Sequence, residues 1–442
     1  MAKLTKYVSV TFTGGSNDGS TANPYTTIEA ARSDIQSNRS GDAGPHYIIL
    51  SESSAATTIY SASYGMPAWN GSAGTGWPQE LWIGSYDAGV ILSGAHGQDI
   101  IIDPGPNEAF TSGQAGAVGG FSTRTHCQQK SAIELYGSGS GVHNVTLRGC
   151  GSNNRVGDGA IKGNKRPYYI RGVNVREAAG GGITGLGDYS STDSWTIIDS
   201  CRIELTGAIN GARAISFVDD SRNALINNCL IIFSGTDGAM PSRAIYAAAG
   251  GTDRATASFC TFVVRMDDAV HTDGSLGITA PRVENCIVSA SLVSDANLNF
   301  PFISADVATN NLYAGFGDSL VTNGVRRTFN GTSASFHSTE LRYKKNSATL
   351  ALFNDPDTTI NSVYADWTLA AGAPAANAGT ALSYLDLTGL DLSGSSRADP
   401  PDIGTFELVI AGYANIIIGV AAGNLGKVIG VTKANTSKVI GT

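Results

Sequence analysis

Apolar residues along this chain recur in short bursts bounded by Gly, Ser, Asn and Asp, not in long helical stripes. Six segments share one pattern: VHNVTL from Val142, IRGVNV from Ile170, IDSCRI from Ile198, INNCLI from Ile226, ASFCTF from Ala257 and VENCIV from Val283. Each reads apolar, any residue, small or amide, Val or Cys, any residue, apolar. The anchors Val145, Val173, Cys201, Cys229, Cys260 and Cys286 are spaced by 28, 28, 28, 31 and 26 residues. A second recurrence lies 12 to 18 residues upstream of each anchor, at Ile133, Ile161, Ile183, Ile215, Ile245 and Val270. Each repeat therefore holds at least two short strands that cannot bury themselves alone.

Repeats of this size with strands and turns but no helical period predict an all-β fold, a parallel β-solenoid. Three strands and three turns fill one coil, and coils stack at about 4.8 Å. The twist and crossover rules for parallel strands make a right-handed coil the expectation. The interior becomes columns of like residues: the six anchors form one, and Leu147, Val175, Ile203, Ile231, Phe262 and Val288 form its neighbour. Asn144, Asn228 and Asn285 precede anchors, where stacked amides are expected to bond from coil to coil. The four stacked cysteines read as small apolar core residues with free thiols. HYIILSES, GVILSG and QDIIIDPG add less regular coils before residue 130, and FPFISADV, NNLYAG and ATLALF continue the pattern less clearly after 290. The expected organisation is an N-terminal strand and capping helix (1–45), the β-helix (46–365), a closing segment (366–410) and a repeat tail (411–442).

Composition narrows the function classes. The 442 residues include 55 glycines and only 15% charged residues, with a formal net charge of −8. No run of Lys or Arg exceeds two, so nucleic acid is excluded as a partner. No segment has the roughly 18 apolar residues of a membrane helix, so membrane insertion is not expected. The first residues lack the apolar stretch of a secretory signal.

Both ends carry a resemblance. The opening YVSVTFTGGSNDGSTANPYTTIEAARSDI and the later stretches Ala373-Pro374-Ala375-Ala376-Asn377-Ala378-Gly379 and Asp402-Ile403-Gly404-Thr405-Phe406-Glu407 resemble the entry and closing segments of right-handed parallel β-helix proteins of the pectate-lyase-like kind. The entry implies a capping helix with Thr26 or Thr27 as N-cap and Ile28, Ala31 and Ile35 on its buried face. The family spans lyases, hydrolases, adhesins and phage tailspikes, so the resemblance implies architecture, not a reaction.

Two clusters are candidates for chemistry. RMDDAVHTDG supplies Asp267, Asp268, His271 and Asp273, which fit paired-carboxylate glycan cleavage. Aligned on Val270, this stretch places Asp268 in an outward column with Arg213 and Arg243, and His271 in one with Glu134, Lys162, Thr184, Ser216 and Tyr246; charge compensation on a solvated face is the structural alternative. Tyr60, Tyr64, Trp69, Trp77 and Trp82 fit a glycan-stacking platform, or a loop folded onto the solenoid flank or packed against a neighbouring subunit. No metal-binding motif and no cofactor are expected, although acidic turns leave calcium open. At the C-terminus, Ile418, Val420, Val428, Ile429, Val431, Val439 and Ile440 recur in an 11-residue repeat similar to tails of phage structural proteins, an expected assembly element.

The expectation is a structural protein of a bacteriophage virion: a homotrimeric spike, fibre or capsid decoration that contacts other virion proteins and host-surface polysaccharide. The alternative is an extracellular or cell-surface polysaccharide lyase or glycoside hydrolase, a depolymerase acting on an anionic glycan.

Overall fold

The computed structural model describes residues 3–41, the strands and tight corners of a solenoid between residues 44 and 355, and residues 366–408 apart from 374 and 383–389. Successive strands of the chain join three sheets in rotation, each of ten strands. The first sheet runs from Thr5–Val8 to Val307–Thr309, the second from Ala56–Tyr60 to Leu341–Lys344, and the third from Leu81–Ile83 to Arg327–Phe329, ending in an antiparallel strand Thr332–Ala334. All other pairings within the three sheets are parallel, as in Ile170↔Ile198↔Ile226. The chain is a parallel β-helix.

The expected columns form. Leu147, Val175, Ile203, Ile231, Phe262 and Val288 align in register in the second sheet, and all are buried. In the third sheet an isoleucine column runs Ile133, Ile161, Ile183, Ile215, Ile245, Ile278 and Ile303. Its sixth member is Ile278 of Leu276–Thr279, not Val270. Both segments offer an apolar residue between small neighbours, and sequence alone favoured the wrong one. Arg213 does pair with Arg243, but the next coil presents Gly277 there. The expected column joining Asp268 to these arginines is therefore overturned.

The helix Ile28–Asn38 forms because Thr27 caps it, its Oγ1 accepting from the Ala30 amide at 3.1 Å, while Ile28, Ala31 and Ile35 face the core. Cys201, Cys229, Cys260 and Cys286 are buried free thiols. Each donates to the carbonyl two residues before it, Cys229 to Asn227 at 3.2 Å, and reaches a carbonyl of the preceding coil. Burial pushes the Cys229 and Cys286 thiols well above their usual range. Cys127 and Cys150 lie outside the described residues.

The first sheet turns into the second through one left-handed residue per coil: Asn144, Gly172, Ser200, Asn228, Phe259, Asn285 and Asn310, with φ from 50° at Phe259 to 62° at Gly172. Asn and Gly tolerate this conformation best, which explains the small or amide position of the repeat. The outer side of this corner is re-entrant. Asp199, Asn227, Ser258 and Glu284 point away from the core columns and yet are at most 5% exposed.

The described residues of 366–408 lie along that corner, on the flank of the solenoid. Leu230, Ile232, Val263, Ile287 and Leu312 form a second apolar cluster outside the main core, with Phe353, Leu369, Ala373, Ala375 and Ile403. Phe353 opens a strand paired antiparallel with Asp366–Leu369, so the ATLALF stretch ends outside the three parallel sheets. Two of the three amides expected to stack on one another reach this segment instead: Asn228 Nδ2 donates to the Leu390 carbonyl at 2.7 Å and Asn285 Nδ2 to the Thr380 carbonyl at 2.8 Å. The two closing motifs meet as well, the Ile403 amide donating to the Ala375 carbonyl and the Gly379 amide to the Pro401 carbonyl.

Arg397 locks the segment down. Its guanidinium stands 4.1 Å from the Phe259 ring centroid and donates through Nη2 to Asn228 Oδ1 at 2.6 Å and to the Gly404 and Thr405 carbonyls. Nη1 pairs with Glu407 Oε2 at 3.4 Å. Glu407 also accepts from the Ala398 and Asp402 amides. Burial pushes the Glu407 carboxyl up and the Arg397 guanidinium down, the usual cost of placing both charges away from water.

Candidate functional site

The residue after each apolar opener, the unrestricted second position of the repeat, points outward from the first sheet beside the left-handed corner. In consecutive coils this column carries His143, Arg171 and Asp199, spaced by 28 residues and aligned in register. Arg171 Nε lies 3.0 Å from Asp199 Oδ2, an ion-pair contact without the alignment of a hydrogen bond, and the Arg171 side chain is 51% exposed. Asp199 Oδ1 accepts from Asn227 Nδ2 at 2.9 Å, and Ser258 Oγ donates in turn to Asn227 Oδ1 at 3.2 Å. Burial raises the Asp199 carboxyl, with Asn227 and Arg171 opposing it.

His143 differs from these neighbours. Its Nε2 is buried and has no hydrogen-bond partner among the described residues. Burial, with a smaller push from the Arg171 charge, holds the imidazole down to about 4, so it is neutral at pH 7.

The adjacent outward column is aromatic and aliphatic: Tyr47, Ile91, Gly141, Tyr169 and Ile197 pair in succession. Gly141 contributes no side chain there. The two columns, with Lys3, Pro45 and Ile170, line a groove of about 390 Å³. Lys3 is carried to its edge by the first coil, where the Tyr47 amide donates to the Leu4 carbonyl. Tyr169 is 37% exposed, and Trp195, directly before the strand Thr196–Asp199 and on the same outward alternation as Ile197, is 42% exposed. Among the described residues only Leu390 is a further exposed large hydrophobic. Exposed rings beside a groove with a few fixed polar groups are the features that ligand-binding surfaces use.

None of the described residues singled out from sequence lines this groove. Asp267, Asp268, His271 and Asp273 lie outside the described residues, as do Tyr64, Trp69, Trp77 and the tail from Ile418 to Ile440. Tyr60 and Trp82 fall in the strands Ala56–Tyr60 and Leu81–Ile83, Trp82 opposite Glu134 in the third sheet. The outward column of that sheet is not a solvated face: Thr184 and Ser216 are fully buried. Thr184 Oγ1 accepts from the Gly159 amide at 2.7 Å, Lys162 Nζ stands 3.8 Å from Glu134 Oε1, and Arg213 stacks 3.5 Å from the Tyr246 ring centroid.

No family model matches this chain, and no curated protein matches it. Among solved structures it is similar to the pectate lyase Pel9A, at 14% identity over 92% of this chain and 97% of that one, with a TM-score of 0.42. It is also similar to the pectin methylesterase from Aspergillus niger in deglycosylated form, at 12% identity over 75% of this chain and 91% of that one, with a TM-score of 0.37. The parallel β-helix rests on the strand order and register of the chain itself.

His143, Arg171 and Asp199 carried a sequence signal: the same 28-residue spacing as the anchors. It was hidden because the repeat pattern constrains the core-facing positions and leaves this one open. Among the described residues no group of three or more His, Cys, Asp or Glu side chains is disposed to hold a metal ion.

Proposed function

We propose that the chain is a structural protein of a bacteriophage virion, a trimeric spike, fibre or capsid decoration whose rigid β-helix presents a flank to host-surface glycan. The observation that carries the reading is the outer face of the first sheet, a ten-stranded sheet on which exposed Tyr169 lines the 390 Å³ groove and exposed Trp195 directly precedes the strand of the lining residue Ile197. Aromatic faces bury the apolar face of a sugar ring, and the fixed polar groups beside them select its hydroxyls and charge. Strands bonded on both sides hold these groups in place without a cost of ordering on contact. The terminal 11-residue repeat supports assembly with sister copies and with other virion proteins.

The test is incubation with capsular and lipopolysaccharide preparations from bacterial hosts, scoring retention and new reducing or unsaturated ends together. Retention without new ends is the expected result. Sustained cleavage that is lost in Asp267→Ala or Asp268→Ala would overturn the structural reading in favour of a depolymerase. Light scattering supplies the second arm: a mass three times that of the chain is expected, and a clean monomer removes the trimeric appendage.

A further inference from the structure

The outer groove of the first sheet holds an unusual charge balance for this protein. The chain carries a formal net charge of −8, yet the groove is lined by two cations, Lys3 and Arg171, against the single carboxylate of Asp199. That carboxylate is already engaged by Asn227 and Arg171, and its side chain is 2% exposed. The Arg171 guanidinium lines the groove with its side chain half exposed, and its contact with Asp199 is through Nε at 3.0 Å. His143 lines the groove on the same column, its buried Nε2 without a hydrogen-bond partner among the described residues. The apolar side of the groove is made by Tyr47, Ile91, Tyr169 and Ile197.

We infer that this groove is the glycan-contact site and that it takes an acidic sugar unit, one or two rings long, with its carboxylate on Arg171 and its ring face on Tyr169. The inference rests on the glycan-contact reading above and deepens it. The size follows from the volume, which is at the small end of ligand pockets and too small for a long oligosaccharide. The sign of the charge follows from the cations, because Arg grips a carboxylate bidentately through its outer nitrogens. The sugar body follows from the exposed ring of Tyr169, of which a small inorganic anion would make no use. Lys3 at the opposite edge adds attraction without fixed geometry.

The experiment follows fluorescence of the full chain on titration with three probes: a disaccharide containing glucuronic acid, the same disaccharide with its carboxyl reduced to the alcohol, and glycerol phosphate. A Trp195→Phe control identifies the reporting indole. Saturable binding of the acidic disaccharide is expected, with the reduced form about tenfold weaker, as loss of one charge-assisted pair implies, and no competition by glycerol phosphate. Arg171→Gln removes the preference for the acid, and Tyr169→Ala weakens both disaccharides by about tenfold. Both side chains are substantially exposed, so both variants are expected to fold, and melting curves check this; Lys3→Gln is a third arm at the groove edge. Equal binding of acid and alcohol, or glycerol phosphate binding as well as the acid, overturns the inference. Host polysaccharide retained equally by wild type, Arg171→Gln and Tyr169→Ala overturns this site and leaves glycan contact standing. No retention by the wild type removes both.

Discussion

Asn144, Asn228, Asn285 and Asn310 take the left-handed corner easily, whereas Phe259 takes it at a backbone cost of about 1–2 kcal/mol. The ring is kept because it is 5% exposed beneath the Arg397 guanidinium. Phe259→Asn therefore sets a backbone gain against a larger loss of buried ring and cation–π contact, worth about 3–5 kcal/mol for full truncation. A net destabilisation of about 1–3 kcal/mol is expected by denaturant titration, and a stabilised variant would show that the ring contributes little. His143 supplies a second residue-level outcome. The unfolded chain binds a proton near the ordinary value of 6.5, the folded chain only near about 4. Stability is therefore intact above 6.5 and lost as pH falls toward 4, by up to about 3 kcal/mol. The raised Asp199 carboxyl acts in the opposite sense, so the measurement is the difference between wild type and His143→Gln. Identical pH slopes for the two would contradict a buried neutral imidazole.

Between elements, the flank segment depends on one buried arginine and on a change in the outer column of the second sheet. That column reads Thr146, Asn174 and Arg202 in the early coils, then Leu230, Thr261, Ile287 and Leu312 where the segment packs. Arg397→Ala strands the buried Glu407 carboxylate and leaves Asn228 Oδ1 and two carbonyls without their donor. A cost of about 3–5 kcal/mol is expected, read as a lowered melting temperature and as protease cleavage within residues 370–408 before the solenoid is cut. Uniform resistance would mean that the segment is held mainly by its apolar contacts. Gly404 adds a geometric check: its φ is +97°, and a Cβ there would come within 2.5 Å of Ile287 Cδ1 and 2.9 Å of Thr261 Oγ1. Gly404→Ala should loosen the same segment by the same protease readout, through strain rather than lost charge.

For the whole molecule, three sheets bonded coil to coil make a stiff rod with stability distributed along it. Removing residues 411–442 is expected to leave the melting of the solenoid unchanged while lowering the mass seen by light scattering; an unchanged mass would refute an assembly role for the tail. The sequence by itself determined the coil, because a core column tolerates only a narrow set of residues and the same set returns every 28 residues or so. It determined the capping helix through Thr27 and its apolar face, and the free thiols through their place in a column. Only the tertiary structure decided what lies outside that core. It replaced Val270 with Ile278, since both satisfy the same local pattern and only continuous pairing discriminates between them. It turned Asn228 and Asn285 toward the flank segment, since an amide bonds whichever group its corner presents. It also gathered His143, Arg171, Tyr169 and Lys3 around one groove, because outward positions are free of the packing that makes a period visible, and only stacking the coils brings them together.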